Sequence, residues 1–186
     1  MARSFLADLA SSLLTSVLGR GRAAPAAPPA RRPPAPRAPR PAPDAPVRGR
    51  SGGTATVEVD PGDVGRVRMT YSPDTDGNPD PGEIVWTWVP YEEKDGRGKD
   101  RPVLVVATES TGTVLAVQLT SKAHTGDGEF VALGSGAWDA EGRPSWVDLD
   151  RVFRVHPEGM RREATALDAR RYGLVEAALT RRYHWS

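Results

Sequence analysis

The run Pro102-Val103-Leu104-Val105-Val106-Ala107 is apolar at every position, the mark of a strand buried on both faces. Residues 113–120 alternate instead. Leu115, Val117 and Leu119 point to one face of such a strand, and Val114, Ala116, Gln118 and Thr120 to the other. Joined across Ser110-Thr111-Gly112, the two segments read as a hairpin. Upstream, residues 83–89 form a strand with Ile84, Trp86 and Trp88 on one face, and the alternation at 64–71 predicts another. Between them, the Asp, Gly, Asn and Pro of residues 74–82 make a loop, and the charged, glycine-containing stretch 91–100 makes a flexible excursion. Shorter strands are expected at 130–133, 145–149 and 152–156.

The chain closes on a helical pattern over residues 167–183, with Tyr172, Val175, Leu179 and Tyr183 as its buried stripe. Thr165, with Asp168 three residues on, is the expected cap, and Arg181 and Arg182 suit the negative C-terminal end. Many short strands and one terminal helix predict a mainly β fold: a small barrel-like sheet, residues 54–186, with a C-terminal helix packed against it.

Two segments precede that domain. In residues 4–18, Phe5, Leu6, Leu9, Leu13, Leu14, Val17 and Leu18 share one side of a helical wheel, while Ser4, Asp8, Ser11 and Thr15 share the other. Residues 1–18 therefore read as an amphipathic helix, too short for the roughly 20 apolar residues of a membrane span. A partner, the chain's own domain or a membrane surface would each suit its apolar side. Residues 19–53 read as a disordered linker, because ten of the 18 prolines fall there among Ala and Arg, with too few apolar residues to offset the entropy of ordering.

Charge follows the same division. Residues 1–50 carry nine arginines and two aspartates, a net of +7, and residues 51–186 carry 16 basic and 22 acidic residues, a net of −6. With no cysteine and three scattered histidines in 186 residues, thiolate metal sites, iron–sulfur clusters and cysteine nucleophiles are excluded, and neither a metal nor a cofactor is expected. The sequence also has no phosphate-binding glycine loop, nucleophile elbow or paired-histidine zinc helix.

What remains is a constellation at the ends of the two central strands. Arg97, Lys99 and Arg101 recur at every second residue and form a basic strip if the chain there is extended. Pro102 biases Arg101 to an extended backbone, and a guanidinium held that way can grip a phosphate with two hydrogen bonds. Thr120 ends its strand on the face opposite Leu115, Val117 and Leu119, whereas Ser121 has core-side parity and is expected to be the less exposed hydroxyl. The competing account pairs Arg101 with Glu83, Asp100 or another surface acid and gives Thr120 only a β-forming role.

The segments GEIVWTWVPY (82–91), GRGKDRPVLVVAT (96–108), LAVQLTSK (115–122) and DLDRVFRVHPEGMRR (148–162) resemble, in order and spacing, the PemK/MazF toxins of bacterial toxin–antitoxin systems. The likeness runs over about residues 82–183. It implies an SH3-like barrel with a C-terminal helix, a homodimer in the cytoplasm, and an endoribonuclease that cuts single-stranded RNA at a short sequence without a metal. A small antitoxin would neutralise it. By motif match, Arg101 falls on the family's catalytic arginine and Thr120 on its catalytic hydroxyl, with Arg97, Lys99, Ser121 and Lys122 placed to bind substrate. The family's Asp-Gln-x-Arg-Thr is replaced here by Asp150-Arg151-Val152-Phe153-Arg154, whose arginine comes one residue late, so no role passes to Asp150 or Arg154. Two other readings stay open. One is a non-catalytic module on the same fold, either an RNA binder or a gyrase poison using the aromatic Tyr183-His184-Trp185-Ser186 end; the other is a surface-tethered domain whose amphipathic head is the working part.

Overall fold

The computed structural model describes residues 47–74 and 78–186. The amphipathic helix expected over residues 1–18, and the expected linker up to residue 46, lie outside the described residues. Among the described residues seven strands build one antiparallel sheet: β1 (Val57–Val59), β2 (Glu83–Pro90), β3 (Gly98–Thr108), β4 (Val114–Thr120), β5 (Phe130–Gly134), β6 (Ser145–Val155) and β7 (Met160–Ala166). The helix α1 (Ala169–Tyr183) follows. The strand order is β1-β6-β4-β3-β2-β7, with β5 also paired to β6. The class is the one the pattern predicts, mainly β with a single C-terminal helix.

The alternation in β4 sorts the side chains onto two apolar cores. Leu115, Val117 and Leu119 join Ile84, Leu104 and Val106 in the core that receives Tyr172, Val175 and Leu179 of α1. Val114 and Ala116 join Val85, Val89, Val103, Val105, Phe153, Val155 and Met160 in the other. Each Val, Leu, Ile, Phe or Met side chain among them contributes about 1.5–3 kcal/mol when fully buried, so a slip of one residue in β4 would exchange the faces and is strongly opposed. Asp168 caps α1 by accepting from Arg171 N at 2.9 Å, and the Tyr172 hydroxyl donates to Val106 O at 2.8 Å, tying helix to sheet.

Several boundaries differ from expectation, each for a physical reason. The alternating segment 64–71 buries Val67 and Met69 as foreseen, but it joins no strand ladder. Its backbone is met by the end of the chain: Met69 N donates to Ser186 O and Ser186 N to Val67 O. The strands expected at 145–149 and 152–156 are one, because each charge at their junction has a partner: Asp150 with Arg182 and Arg151 with Glu58, while Asp148 just before it is held by Gln118. Residues 160–166, read as part of the tail, form the edge strand β7 against β2. Its polar composition, typical of a protected sheet edge, hid it. Thr165 belongs to that strand, so the helix starts later and Asp168, not Thr165, is its cap.

The linker expected through residue 53 also gives way earlier to packed chain. Thr56 N donates to Gly49 O at 2.7 Å, Thr56 Oγ1 meets Thr87 Oγ1 at 2.6 Å, and Thr87 Oγ1 donates to Gly159 O at 3.0 Å. The backbones approach so closely that a Cβ on Gly159 would lie 2.2 Å from Thr54 O. Gly159→Ala therefore forces apart the segment 49–56 and the turn before β7. The expected loss is about 1–3 kcal/mol in urea unfolding, by the usual scale of overpacking, whereas Gly53→Ala, where a Cβ meets nothing within 4 Å, leaves the midpoint close to that of the parent.

Candidate functional site

The β3–β4 ladder stops at the pair Val103 and Gln118. Beyond it β3 continues only with β2, where Arg101 faces Thr87, and β4 continues only with β6, where Thr120 faces Trp146. The sheet thus opens between its two central strands at this end. Arg101 and Thr120 lie two residues past the last pair, on the face that carries Val103 and Gln118, one on each side of the opening. Two cavities meet there, of about 410 Å³ and about 530 Å³. Arg101 and Thr120 line both.

Arg101 is half-buried, and among the described residues nothing forms an ion pair or hydrogen bond with its guanidinium. The acids of the competing account are engaged elsewhere. Asp100 pairs with Arg161, and Glu83, buried, accepts from Asp80 N at 3.2 Å. A guanidinium held at a cavity wall without a carboxylate keeps its donors for an incoming anion. Thr120 Oγ1 accepts from Lys122 N at 3.1 Å, which fixes the hydroxyl and leaves its proton free to donate.

The remaining cations are arranged unevenly. Lys99 lines the smaller cavity and Lys122 the larger, both exposed. Arg97 lies before β3 begins at Gly98, so the alternation of the strand does not reach it. It is bound to Asp95 at 2.6 Å and lines neither cavity. The expected strip of three is therefore a pair, Lys99 and Arg101. Ser121 reverses its expectation in the other direction. Because β4 ends at Thr120, strand parity does not extend to residue 121, and Ser121 is exposed on the wall of the smaller cavity.

The larger cavity contains groups that were not foreseen as site residues. Gln118 Nε2 donates to Asp148 Oδ2 at 2.7 Å, and Asp148 Oδ1 accepts from Asp150 N at 3.0 Å. Burial pushes the Asp148 carboxyl up, against the hydrogen bond from Gln118 and the nearby charges of Arg151 and His124. Arg151 grips Glu58 through two bonds of 3.1 and 2.7 Å, which holds the Glu58 carboxyl below its ordinary value, and it donates further to Pro90 O at 2.8 Å. Gln118 could have been found from its parity with Thr120. Asp148 could not, because its role depends on the register between β4 and β6.

The late arginine of the 150–154 segment is explained by the structure. Arg154 is drawn to Glu109 by bonds of 2.6 and 2.7 Å at the opposite end of β4, and Asp150 pairs with Arg182 of α1. Phe153 fills the core between them. Among the described residues no group of three or more His, Cys, Asp or Glu is placed to hold a metal ion, and no helix is long and apolar enough to cross a membrane.

Residues 80–182 match the family described as PemK-like, MazF-like toxin of type II toxin–antitoxin system. The chain belongs to the PemK/MazF toxin family. The matched range coincides with the sheet from β2 onward and with nearly all of α1. No curated protein matches this PemK/MazF-family chain. Among solved structures, the crystal structure of MazE–MazF (Form II) from Deinococcus radiodurans resembles it with a TM-score of 0.41 and 23% identity, over 63% of this chain and 100% of that one.

The buried carboxyl of this family member gives a pH signature. With its native pKa raised, folded Asp148 holds a proton more tightly than the unfolded chain does. Its contribution is therefore most favourable at low pH and declines as pH rises from the ordinary aspartate range through the raised native value. Asp148→Asn removes that slope. Urea unfolding of both proteins between about pH 3 and pH 7 should show the variant gaining stability relative to the parent as pH rises. A difference that stays constant or moves the other way would contradict the assignment.

Proposed function

We propose that this chain is a metal-independent endoribonuclease toxin that cuts single-stranded RNA and is neutralised by a small antitoxin. The observation that carries the reading is the Arg101 guanidinium, unpaired among the described residues, facing Thr120 across the opening of the sheet in a member of a toxin family. In this reading Arg101 and Thr120 are the catalytic residues. Lys99 and Lys122, with Ser121 beside them, hold the RNA strand. Arg97, tied to Asp95, contributes at most to approach.

The chemistry asks little of the protein beyond placement and charge. The ribose 2′-oxygen attacks the adjacent phosphorus, its proton is lost, and the 5′-oxygen of the next nucleotide leaves and takes a proton. The products are a 2′,3′-cyclic phosphate and a 5′-hydroxyl. Negative charge grows on the non-bridging oxygens as the phosphorus becomes pentacoordinate, and groups fixed in advance around them lower the barrier. Arg101 supplies a charge and two parallel donors there, and Thr120, its oxygen anchored by Lys122 N, supplies a third. The RNA is recruited by local cations although residues 51–186 are acidic overall. The antitoxin and a homodimeric assembly are part of the same proposal and rest on the family. The gyrase-poison alternative drew on the aromatic end of the chain, but Trp185 is 3% exposed within the helix-side core and is not available as a contact residue.

The test incubates the full chain with single-stranded RNA in excess chelator and maps the ends. Cleavage persists, with cyclic phosphate and 5′-hydroxyl termini; loss of activity in chelator, or 3′-hydroxyl ends, would sink the reading. Arg101→Ala should abolish cutting and leave the thermal midpoint within a degree or two, since a half-buried side chain with no partner among the described residues adds little stability. Thr120→Val keeps the branched shape, deletes the donor and should slow the rate about 10–1000-fold.

A further inference from the structure

The cavity of about 530 Å³ holds a buried acceptor that the fold leaves unmet. Gln118 is only 8% exposed, its Nε2 is committed to Asp148, and its Oε1 is buried and receives no hydrogen bond from the described residues. Such an orphan weakens the fold, a loss that a ligand donor would recover. Asp148 beside it is 7% exposed. A carboxylate has about four acceptor sites, of which Gln118 Nε2 and Asp150 N occupy two. The neighbouring Arg151 is engaged with Glu58 and Pro90 O. The Gln118–Asp148 floor of the cavity therefore offers more acceptors than donors, since one of the two Gln118 N–H groups is already used.

The walls carry aromatic rings beside two further acceptors, the carboxylates of Glu92 and Glu93. His124 stacks on Phe130 with 3.5 Å between ring centroids and 13° between planes, and both line the cavity together with Tyr91. Lys122 stands on the same wall as the one lysine, with Arg101 and Thr120 at the border shared with the smaller cavity. Flat π surfaces above an acceptor-rich floor, beside a cation, describe a nucleobase pocket.

We propose that this cavity binds a single RNA base next to the scissile phosphate and that the Gln118–Asp148 pair selects guanine. The inference rests on the RNA-cleaving reading for its substrate class. It adds the identity of one base. On the edge used in Watson–Crick pairing, guanine alone presents two adjacent donor groups, N1–H and the N2 amine. Adenine and cytosine each place one donor beside an acceptor, and uracil has one N–H between two carbonyls. Against a floor richer in acceptors than in donors, guanine's two adjacent donors are the better match, and each of the other three bases brings an acceptor toward the Asp148 carboxyl. Guanine O6 lies on the same edge as its donors, where the Lys122 ammonium can meet it. A base seated there also fixes the backbone next to Arg101 and Thr120, so recognition and alignment for attack would be one event.

The experiment titrates the full-length, ¹⁵N-labelled protein with guanosine 3′-monophosphate and with the adenosine, cytidine, uridine and inosine analogues. Guanosine should move the Gln118 side-chain amide and the His124 ring resonances, with an affinity at least about tenfold above adenosine, cytidine and uridine. Inosine, which lacks the N2 amine, should fall between. Equal responses to all five nucleotides, or no response at Gln118, would overturn the proposal. A second measurement maps cut sites in a mixed RNA pool for the parent and for Gln118→Met, with folding of the variant checked by thermal unfolding. Guanine should be enriched at one fixed position beside the cut in the parent, and that enrichment should fall about tenfold or more in the variant. Cutting without guanine enrichment removes this inference and leaves the nuclease reading intact. A parent that cuts no RNA removes the nuclease reading, and the nucleotide titration then still decides whether the pocket takes guanine.

Discussion

Leu104, Val106, Leu115, Val117 and Leu119 fill one side of the β3–β4 pair, and Val103, Val105, Val114 and Ala116 fill the other. Neither side of the central strands is left for a ligand. The pair can offer polar groups only where its ladder ends, and it ends at Val103 and Gln118 because each strand then keeps a different neighbour, β2 for β3 and β6 for β4. The same two-sided burial that stabilises the hairpin makes the opening beyond it rigid. Arg101 and Thr120 are carried by extended strands whose other edges remain paired, which is the kind of support that positions catalytic or binding groups closely.

How much of this was legible in the sequence depends on whether a signal was local. Parity along β4 placed Thr120 correctly and assigned every apolar neighbour to its face, because a strand in the middle of a sheet keeps its period. The same rule failed one residue later at Ser121, and at Arg97, since both lie outside strand limits that the sequence does not mark. The charged middle of β6 looked like a break, yet Glu58 and Arg182 pair with its Arg151 and Asp150 and Gln118 hydrogen-bonds its Asp148, partners from distant parts of the chain. β7 escaped notice because an edge strand needs little apolar character. That Arg101 has no acid among the described residues could not be read at all; it depends on Arg161 engaging Asp100 from across the sheet edge.

The acidic balance of residues 51–186 looks at first opposed to an anionic substrate. At the site the opposition is reduced pair by pair. Asp139, on the smaller cavity, is pushed up by burial but held below its ordinary value by Arg143 and the Glu141 backbone. Asp100 is covered by Arg161. Lys99, Arg101 and Lys122 remain without ion pairs among the described residues, so the field close to the opening is more positive than the total charge suggests.

The pairing of Ser186 with Val67 and Met69 bears on the order in which the molecule is made. The backbone partner of residues 67 and 69 and the buried Trp185 are synthesised more than a hundred residues after them. Until those residues emerge, the helix-side core lacks a wall, and α1, which precedes them, cannot be sealed in place. Such long-range closure slows folding and postpones it until residues 185 and 186 are available. Until then a nascent chain would leave apolar residues of that core exposed. For a member of a toxin family, the helix-side core is complete only once both sides of that closure are present.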